Sequence, residues 1–273
     1  MNNKFKIIYL AAILPLFLFS ACEKDGTNVM PIIKGINKKF DISAFVLGDT
    51  IEQYFDGVKM REYYGRVSTL GSFSQLAFEK DEINMELKRK STAEVIYKQT
   101  FHISDKDNIV PKFYFDGKKI SNQYIYPDPE GDDYTVNFYL SPSNGTKPAD
   151  INIDVLEYYE DSTRPGGIYV VNTTSFTIAE NVQVGTWSPY YKIPVPVVTP
   201  TRTDTDLYPI VVIRDAKTKD YYMNDRDGST LAVELPYDGS SPGKVQSCFL
   251  AKKRSIDKKF YMEFYDLVQL FPR

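Results

Sequence analysis

The feature of this chain that most constrains its fold is a period-two alternation of apolar and polar residues in short runs. Apolar residues occupy every second position in residues 134–140 and again in residues 151–155. This period is typical of a β-strand with one buried face. Turn residues separate the runs, and no stretch of eleven or more residues has the period of an amphipathic helix. The pattern predicts an all-β fold built from antiparallel β-sandwiches.

Two predicted hairpins share a short sequence. Residues 54–57 read YFDG, and residues 114–117 read the same. Aspartate followed by glycine between two strand-like runs predicts a tight turn, because both residues tolerate positive φ. The repeat covers a hairpin and does not extend to a whole domain.

Residues 79–98 are the one stretch where a helix competes with a strand, because Glu, Lys, Met and Leu are frequent there. Ile83, Met85 and Leu87 nevertheless alternate with Asn84, Glu86 and Lys88. That alternation favours a strand with one solvated face.

A proline- and acid-rich segment divides the chain. Residues 127–133 read PDPEGDD, a composition that the interior of a strand does not tolerate. We therefore predict a first β-sandwich domain over residues 39–127, a linker over residues 128–133 and a second β-sandwich domain over residues 134–273. The alternative is a long hairpin turn within a single larger sandwich. The many short strands are similar to those of immunoglobulin-like or transthyretin-like domains.

The N-terminus has the plan of a secretory signal. Lys4 and Lys6 precede an apolar run of fifteen residues, 7–21, which contains Pro15. A membrane-spanning helix needs about 20 apolar residues, so a cleaved signal over residues 1–21 is the better interpretation. Residues 22–38 are then expected to form a flexible tether.

The end of this signal resembles the lipobox of bacterial lipoproteins. Ser20 and Ala21 precede Cys22, although Phe19 stands where that family usually has leucine or another aliphatic residue. The resemblance implies that the Cys22 thiol carries a diacylglycerol and that the mature chain is anchored to a membrane by lipid. Residues 23–25 read EKD and resemble the tag of surface-exposed outer-membrane lipoproteins. The alternative is an ordinary cleaved signal that ends beside a cysteine.

Charge and cysteine content narrow the function further. Lys and Arg number 33 and Asp and Glu number 36, and the signal contains two lysines and no acid. The mature chain is therefore acidic, which disfavours nucleic acid as a partner. Cys22 and Cys248 are the two cysteines. If Cys22 is acylated, Cys248 is a lone thiol, which we expect to be buried as a small hydrophobic residue.

Residues 152–157, NIDVLE, resemble the catalytic strand of retaining β-glucanases with a jelly-roll fold. That resemblance implies two nearby carboxylates, but Asn152 stands at the position of the nucleophilic glutamate and cannot form the glycosyl intermediate. An ordinary strand with Ile153 inward and Asp154 outward is therefore predicted. An acid-pair hydrolase that uses Asp154 or Glu157 stays as an alternative.

Residues 223–234 resemble an EF-hand calcium loop in part. Asp225, Asp227 and Glu234 match ligand positions, but Met223 stands at the first one, where a thioether is a poor partner for a hard cation. A hairpin turn explains the same residues, so no metal and no cofactor are predicted. His102 is the sole histidine, which leaves little material for a zinc site or a Ser-His-Asp triad.

Aromatic residues supply the candidate ligand contacts. Adjacent tyrosines in a strand point to opposite faces, so one of each pair is expected to face away from its own core. A rigid ring beside proline can be held in the open to stack on a sugar. The candidate ligand-binding residues are Trp187, Tyr190, Tyr191, Tyr221 and Tyr222. The alternative is that these rings pack between sheets or domains.

Taken together, the signal, the acidic tag and the strand-rich chain resemble the small β-sandwich lipoproteins that Gram-negative bacteria display on the outer membrane, often beside glycan-uptake systems. The resemblance implies a non-enzymatic binding module at the cell surface, with extracellular glycan or a surface protein as its partner. A structural or adhesion protein, with the sandwiches as spacers, is the alternative.

Overall fold

A computed structural model describes residues 35–69, 74–164, 166–236 and 243–273. The signal, Cys22 and the acidic tag lie outside these residues. The strands are β1 (Ile36–Phe55), β2 (Val58–Ser68), β3 (Gln75–Phe78), β4 (Glu82–Arg89), β5 (Val95–His102), β6 (Asn108–Phe115), β7 (Ile120–Ser121), β8 (Tyr134–Leu140), β9 (Ala149–Glu160), β10 (Ile168–Val182), β11 (Tyr191–Lys192), β12 (Asp206–Asp215), β13 (Thr230–Leu231), β14 (Lys244–Arg254) and β15 (Phe260–Asp266). Apart from short 3₁₀ turns, the described residues contain no helix, and none that could span a bilayer. The predicted all-β class is confirmed.

Strands β1–β7 form one seven-stranded sheet, here called the N-terminal sheet. Strand β1 is 20 residues long and pairs with β2, β3, β4 and β6. The register shifts between Val46 and Ile51, and Gly48 in this interval has φ of +74°. Such a shift bends a strand, so β1 curls the sheet into a half-barrel. Strand β1 begins at Ile36, inside the segment expected to be tether.

The bend in β1 requires two glycines. A Cβ on Gly48 would lie 2.8 Å from the Cα of Gly117, and Gly117 has φ of +94°. The backbones of β1 and of the turn after β6 therefore touch where no side chain fits. Gly117 ends the YFDG sequence at residues 114–117. The copy at residues 54–57 forms the predicted β1–β2 hairpin, with Asp56 and Gly57 both at positive φ.

The N-terminal sheet encloses one hydrophobic core. Residues of β1 contribute to it, together with Ile83, Met85 and Leu87 of the neighbouring strand β4. The strand predicted within residues 79–98 is confirmed. The β1 residues are Phe40, Ile42, Ala44, Val46 and Ile51.

The remaining strands form two four-stranded sheets with the orders β10-β9-β12-β13 and β11-β8-β14-β15. The two sheets share one core, to which β8 and β9 contribute their alternate residues as predicted. The second of these sheets is mixed, because β8 pairs in parallel with β14, and the N-terminal sheet is mixed because β1 pairs in parallel with β6. Two purely antiparallel sandwiches are therefore not what the chain forms. Parallel pairs join strands that are distant in sequence, and alternation alone does not identify partners.

A third hydrophobic cluster joins the N-terminal sheet to the outer face of the β8–β14 sheet. We call it the aromatic junction: Phe45, Leu47, Tyr139, Phe249, Ala251, Tyr265, Leu267 and Phe271 are buried, and Tyr64, Tyr114, Tyr124, Tyr126, Trp187 and Leu270 pack against them. Phe45 and Leu47 lie on the face of β1 opposite its core residues. Strand β1 is therefore buried on both faces. The proline-rich segment 127–133 lies between β7 and β8 and contains no strand.

Candidate functional site

Trp187, the sole tryptophan, lies half-buried in the aromatic junction. Its ring centroid is 5.4 Å from that of Tyr139 and 5.8 Å from that of Tyr124. Its indole Nε1 donates a hydrogen bond of 3.3 Å to the hydroxyl of Tyr114. Three tyrosines thus fix the ring, in the arrangement that sequence reasoning gave as the alternative to an open sugar-stacking ring.

Tyr190 also contributes to the region around the junction. Its hydroxyl lies 2.8 Å from the Oγ of Ser247, a fully buried residue. Burial raises the pKa of Tyr190 well above its usual value, so the hydroxyl stays protonated and can donate. Tyr191, the next residue, lies in β11, where it pairs with Val136 of β8. It also packs on the core shared by the C-terminal sheets.

Tyr221 and Tyr222 lie beyond β12 and do not adjoin Trp187 in any contact of the described residues. The guanidinium of Arg214 lies 4.3 Å from the Tyr221 ring centroid. The Tyr222 hydroxyl donates a 2.7 Å hydrogen bond to the carbonyl of Lys147. The five predicted aromatic residues therefore divide into separate groups and form no common surface.

The two carboxylates of the hydrolase alternative lie on opposite faces of β9. Strand β9 pairs with β12 without a register shift from residue 149 to residue 158. Residues 154 and 157 are three positions apart, so their side chains point to opposite faces of the sheet. Asp154 is fully buried and accepts hydrogen bonds from Ser175 at 2.6 Å and Arg214 at 2.5 Å. Glu157 is buried on the other face. This pair cannot act together on one glycosidic bond.

The Glu157 carboxylate accepts hydrogen bonds from the loop that precedes β12. It accepts the backbone N–H of Thr201 at 2.7 Å and the hydroxyl of Thr205 at 2.7 Å. Desolvation raises the pKa of Glu157, but these hydrogen bonds outweigh it and hold the pKa below its usual value. The carboxylate therefore anchors the loop before β12 in its ionised form.

The residues of the partial calcium loop are dispersed. Asp225 accepts the backbone N–H of Gly228 at 2.7 Å, as a turn requires, and Glu234 pairs with Lys244. Asp225 and Asp227 line one hollow and Glu234 lines another. Within the described ranges, no three His, Cys, Asp or Glu side chains are grouped so that they could hold a metal ion.

A shallow cleft of about 480 Å³ separates the N-terminal sheet from the end of β8. We call it the polar cleft, because five of its lining residues carry a hydroxyl group and one carries a carboxylate. Its lining includes Gly48, Asp49, Thr50, Tyr64, Tyr139, Ser141, Ser143 and Gly185. Both halves of the chain contribute, so a ligand there would contact the N-terminal sheet and β8 at once.

Asp49 is the charged group of the polar cleft. Its carboxylate accepts hydrogen bonds from the backbone N–H of Thr50 at 2.8 Å, from the hydroxyl of Ser91 and from Arg89 at 3.3 Å. Desolvation raises the pKa of Asp49, but these bonds outweigh it and the pKa is lowered. The ionised carboxylate is held in one orientation, with Arg89 as its counter-ion.

The polar cleft is connected to the aromatic junction through two tyrosines. The hydroxyls of Tyr64 and Tyr139 are 2.6 Å apart. Tyr139 also contacts Trp187, as described above. Burial raises the pKa of Tyr64 well above its usual value, so its hydroxyl stays protonated. A ligand that moves this tyrosine pair would change the surroundings of the sole tryptophan.

Comparison with protein-family models found no match, and no curated protein matches the chain significantly.

The sequence pattern does not predict the polar cleft. Gly48 and Asp49 interrupt a strand-like run, which is a signal for a bulge. Nothing in the sequence indicates that this bulge faces Ser141 and Ser143, which are more than 90 residues away along the chain.

Proposed function

We propose that this chain is a non-enzymatic binding protein for extracellular glycan and that the polar cleft is its binding site. The observation that carries the proposal is the lining of the cleft. Its hydroxyls donate and accept hydrogen bonds, and its carboxylate accepts them. A neutral polyhydroxyl ligand can pair with such groups without burying an unpaired charge, which would be costly.

One glycine of the lining supports the same ligand class. An added Cβ on Gly185 would have only the Cγ of Pro142 near it, at 3.9 Å. Without a side chain at this position, a sugar ring can approach the backbone and the hydroxyl of Ser143.

Trp187 serves in this proposal as a reporter of binding. Its ring lies against Tyr139, whose hydroxyl is bonded to Tyr64 in the cleft wall. Glycan binding is expected to shift the emission of the sole tryptophan, although the glycan does not stack on it. Titration of the mature protein with amylopectin, xylan and mannan measures this shift.

A matched pair of variants tests the location. Ser143→Arg places a bulky side chain in the cleft, and Thr173→Arg places the same side chain on exposed β10. The first is expected to abolish the emission shift and the second to retain it. An unchanged shift in Ser143→Arg, or no shift with any polysaccharide in the wild type, would refute the proposed site.

We also propose that the protein is held at the cell surface by lipid on Cys22. The thiol of Cys248 is fully buried in the core shared by the C-terminal sheets, and burial raises its pKa. It is therefore not available to pair with Cys22. Metabolic labelling with an alkynyl fatty acid is expected to mark the wild type and not Cys22→Ala; equal labelling of both would contradict the anchor.

We also propose that the chain is related to the small β-sandwich lipoproteins of the outer membrane. The shared core of the two C-terminal sheets supports an immunoglobulin-like or transthyretin-like sandwich there. The curled N-terminal sheet supports no such assignment. The division at residues 128–133 stays a prediction.

A second candidate function is a structural or adhesion protein. The aromatic junction favours it, because the junction fixes the N-terminal sheet against the C-terminal sheets as a rigid spacer would require. Crosslinking on intact cells that recovers a surface protein, together with blank glycan titrations, would favour this function over glycan binding.

A further inference from the structure

A second cleft opens at the end of the curled N-terminal sheet, and it shares no lining residue with the polar cleft. Its volume is about 510 Å³, within the range of about 300–1,000 Å³ that is typical of small-molecule sites. We call it the apolar cleft, after the residues that line its floor and mouth: Phe40, Phe55, Met60, Leu76, Ala77 and Ile83.

The floor of the apolar cleft belongs to the hydrophobic core. Phe40 and Ile83 are buried core residues, and the Phe40 ring lies edge-on to Phe55 at 5.7 Å between centroids. A ligand in the cleft would therefore extend the core of the N-terminal sheet. The apolar area that such a ligand would remove from water lies mainly on Phe55, Met60 and Ala77, and its removal would favour binding.

The mouth of the cleft carries an exposed apolar side chain. Met60 on β2 is 54% exposed, and its flexible thioether can adapt to ligands of different shape. Ala77 on β3 is also exposed and lines the cleft.

The charges at the rim are balanced. Lys80 pairs with Asp56 at 3.2 Å, and Asp56 also accepts the backbone N–H of Asn84 at 3.0 Å. Arg61 and Glu79 add one charge of each sign. A charged ligand would gain no net attraction here, so the rim favours an uncharged one.

From this geometry we propose that the apolar cleft binds a small neutral molecule with a hydrocarbon body. The proposal does not depend on glycan binding, because the two clefts are lined by different residues. Five hydroxyl-bearing residues line the polar cleft, whereas residues of the hydrophobic core form the floor of the apolar cleft.

Fluorescence titration of the mature protein with the neutral dye N-phenyl-1-naphthylamine tests the proposal. The wild type is expected to bind the dye saturably at one site. Ala77→Trp enlarges a side chain of the lining and Met60→Lys places a charge at the mouth, so each is expected to weaken binding about tenfold or more. Val197→Trp and Val197→Lys are the matched controls, because Val197 is 83% exposed and lies outside the cleft.

Competition then identifies the hydrocarbon. Displacement of the dye by 1-decanol indicates a linear chain, and displacement by a neutral aromatic competitor indicates a ring; either supports the cleft as a hydrocarbon site. Non-saturable dye binding, or saturable binding that both cleft variants retain, would overturn the proposal. If Ala77→Trp does not fold, Met60→Lys decides the outcome.

Discussion

Gly65 of β2 lies directly against the ring of Phe249 of β14: a Cβ on Gly65 would come within 2.9 Å of the Phe249 Cζ. This contact lies in the aromatic junction and allows the N-terminal sheet to approach the β8–β14 sheet. Phe249 is buried and its ring also lies 5.1 Å from that of Phe45. The ring therefore has little room to move away from an added methyl group.

Gly65→Ala is expected to destabilise the protein by about 2–5 kcal/mol, because overpacking adds to the cost of an L-residue at φ of +74°. Gly57→Ala is the control, since Gly57 has φ of +82° and nothing within 4 Å of an added Cβ. Urea unfolding of both variants separates the clash from the backbone strain. Equal losses in the two variants would contradict a tight junction.

The buried ion pair between Asp154 and Arg214 is expected to be structural. Arg214→Leu leaves Asp154 buried without its counter-ion, which typically costs about 3–5 kcal/mol. Arg202→Leu is the comparison, because Arg202 pairs with the exposed Asp204 and its loss should change thermal unfolding little. Similar midpoints for the two variants would show that Asp154 does not depend on Arg214.

The protonated carboxyl of Asp266 contributes to the stability of the folded protein, and this contribution weakens as pH rises. Burial raises the pKa of Asp266 above 3.8, so the folded state holds its proton more tightly than the unfolded state. This contribution is full below the unfolded pKa and is lost as pH rises through the folded pKa. Asp266→Asn is therefore expected to raise the unfolding midpoint at pH 7, with the gain disappearing below about pH 3.8.

The contribution of Asp215 to stability has the opposite pH dependence. The hydrogen bond from Lys147 and backbone bonds from Lys217 and Thr218 lower its pKa, so its contribution is present at neutral pH and is lost as pH falls through the folded pKa. Asp215→Asn should lower the midpoint at pH 7. Parallel pH profiles for the Asp266 and Asp215 variants would contradict both assignments.

The local residue pattern of this chain predicts where its strands lie better than it predicts which strands pair with one another. Alternation identified the inward residues of β8 and β9, because that signal depends only on neighbours in sequence. The run 44–47, AFVL, departs from alternation, and such runs are typical of a strand buried on both faces. It signals that β1 is covered on both sides but does not show what covers it.

The same limit applies to the candidate site. Trp187 stands out in the sequence because it is unique and beside proline, yet its environment depends on Tyr114, Tyr124 and Tyr139, which come from other parts of the chain. The polar cleft depends on the bend of β1 at Gly48 facing the end of β8. Those contacts follow from sheet pairing, which residue patterns do not specify.

Saturation-transfer NMR on short oligosaccharides from the polysaccharide that binds best would test the central claim most directly. With the wild type, transfer to the sugar protons is expected, and the same oligosaccharide should receive none from Ser143→Arg and undiminished transfer from Thr173→Arg. Equal transfer from all three proteins, or none from the wild type, would contradict a glycan site in the polar cleft.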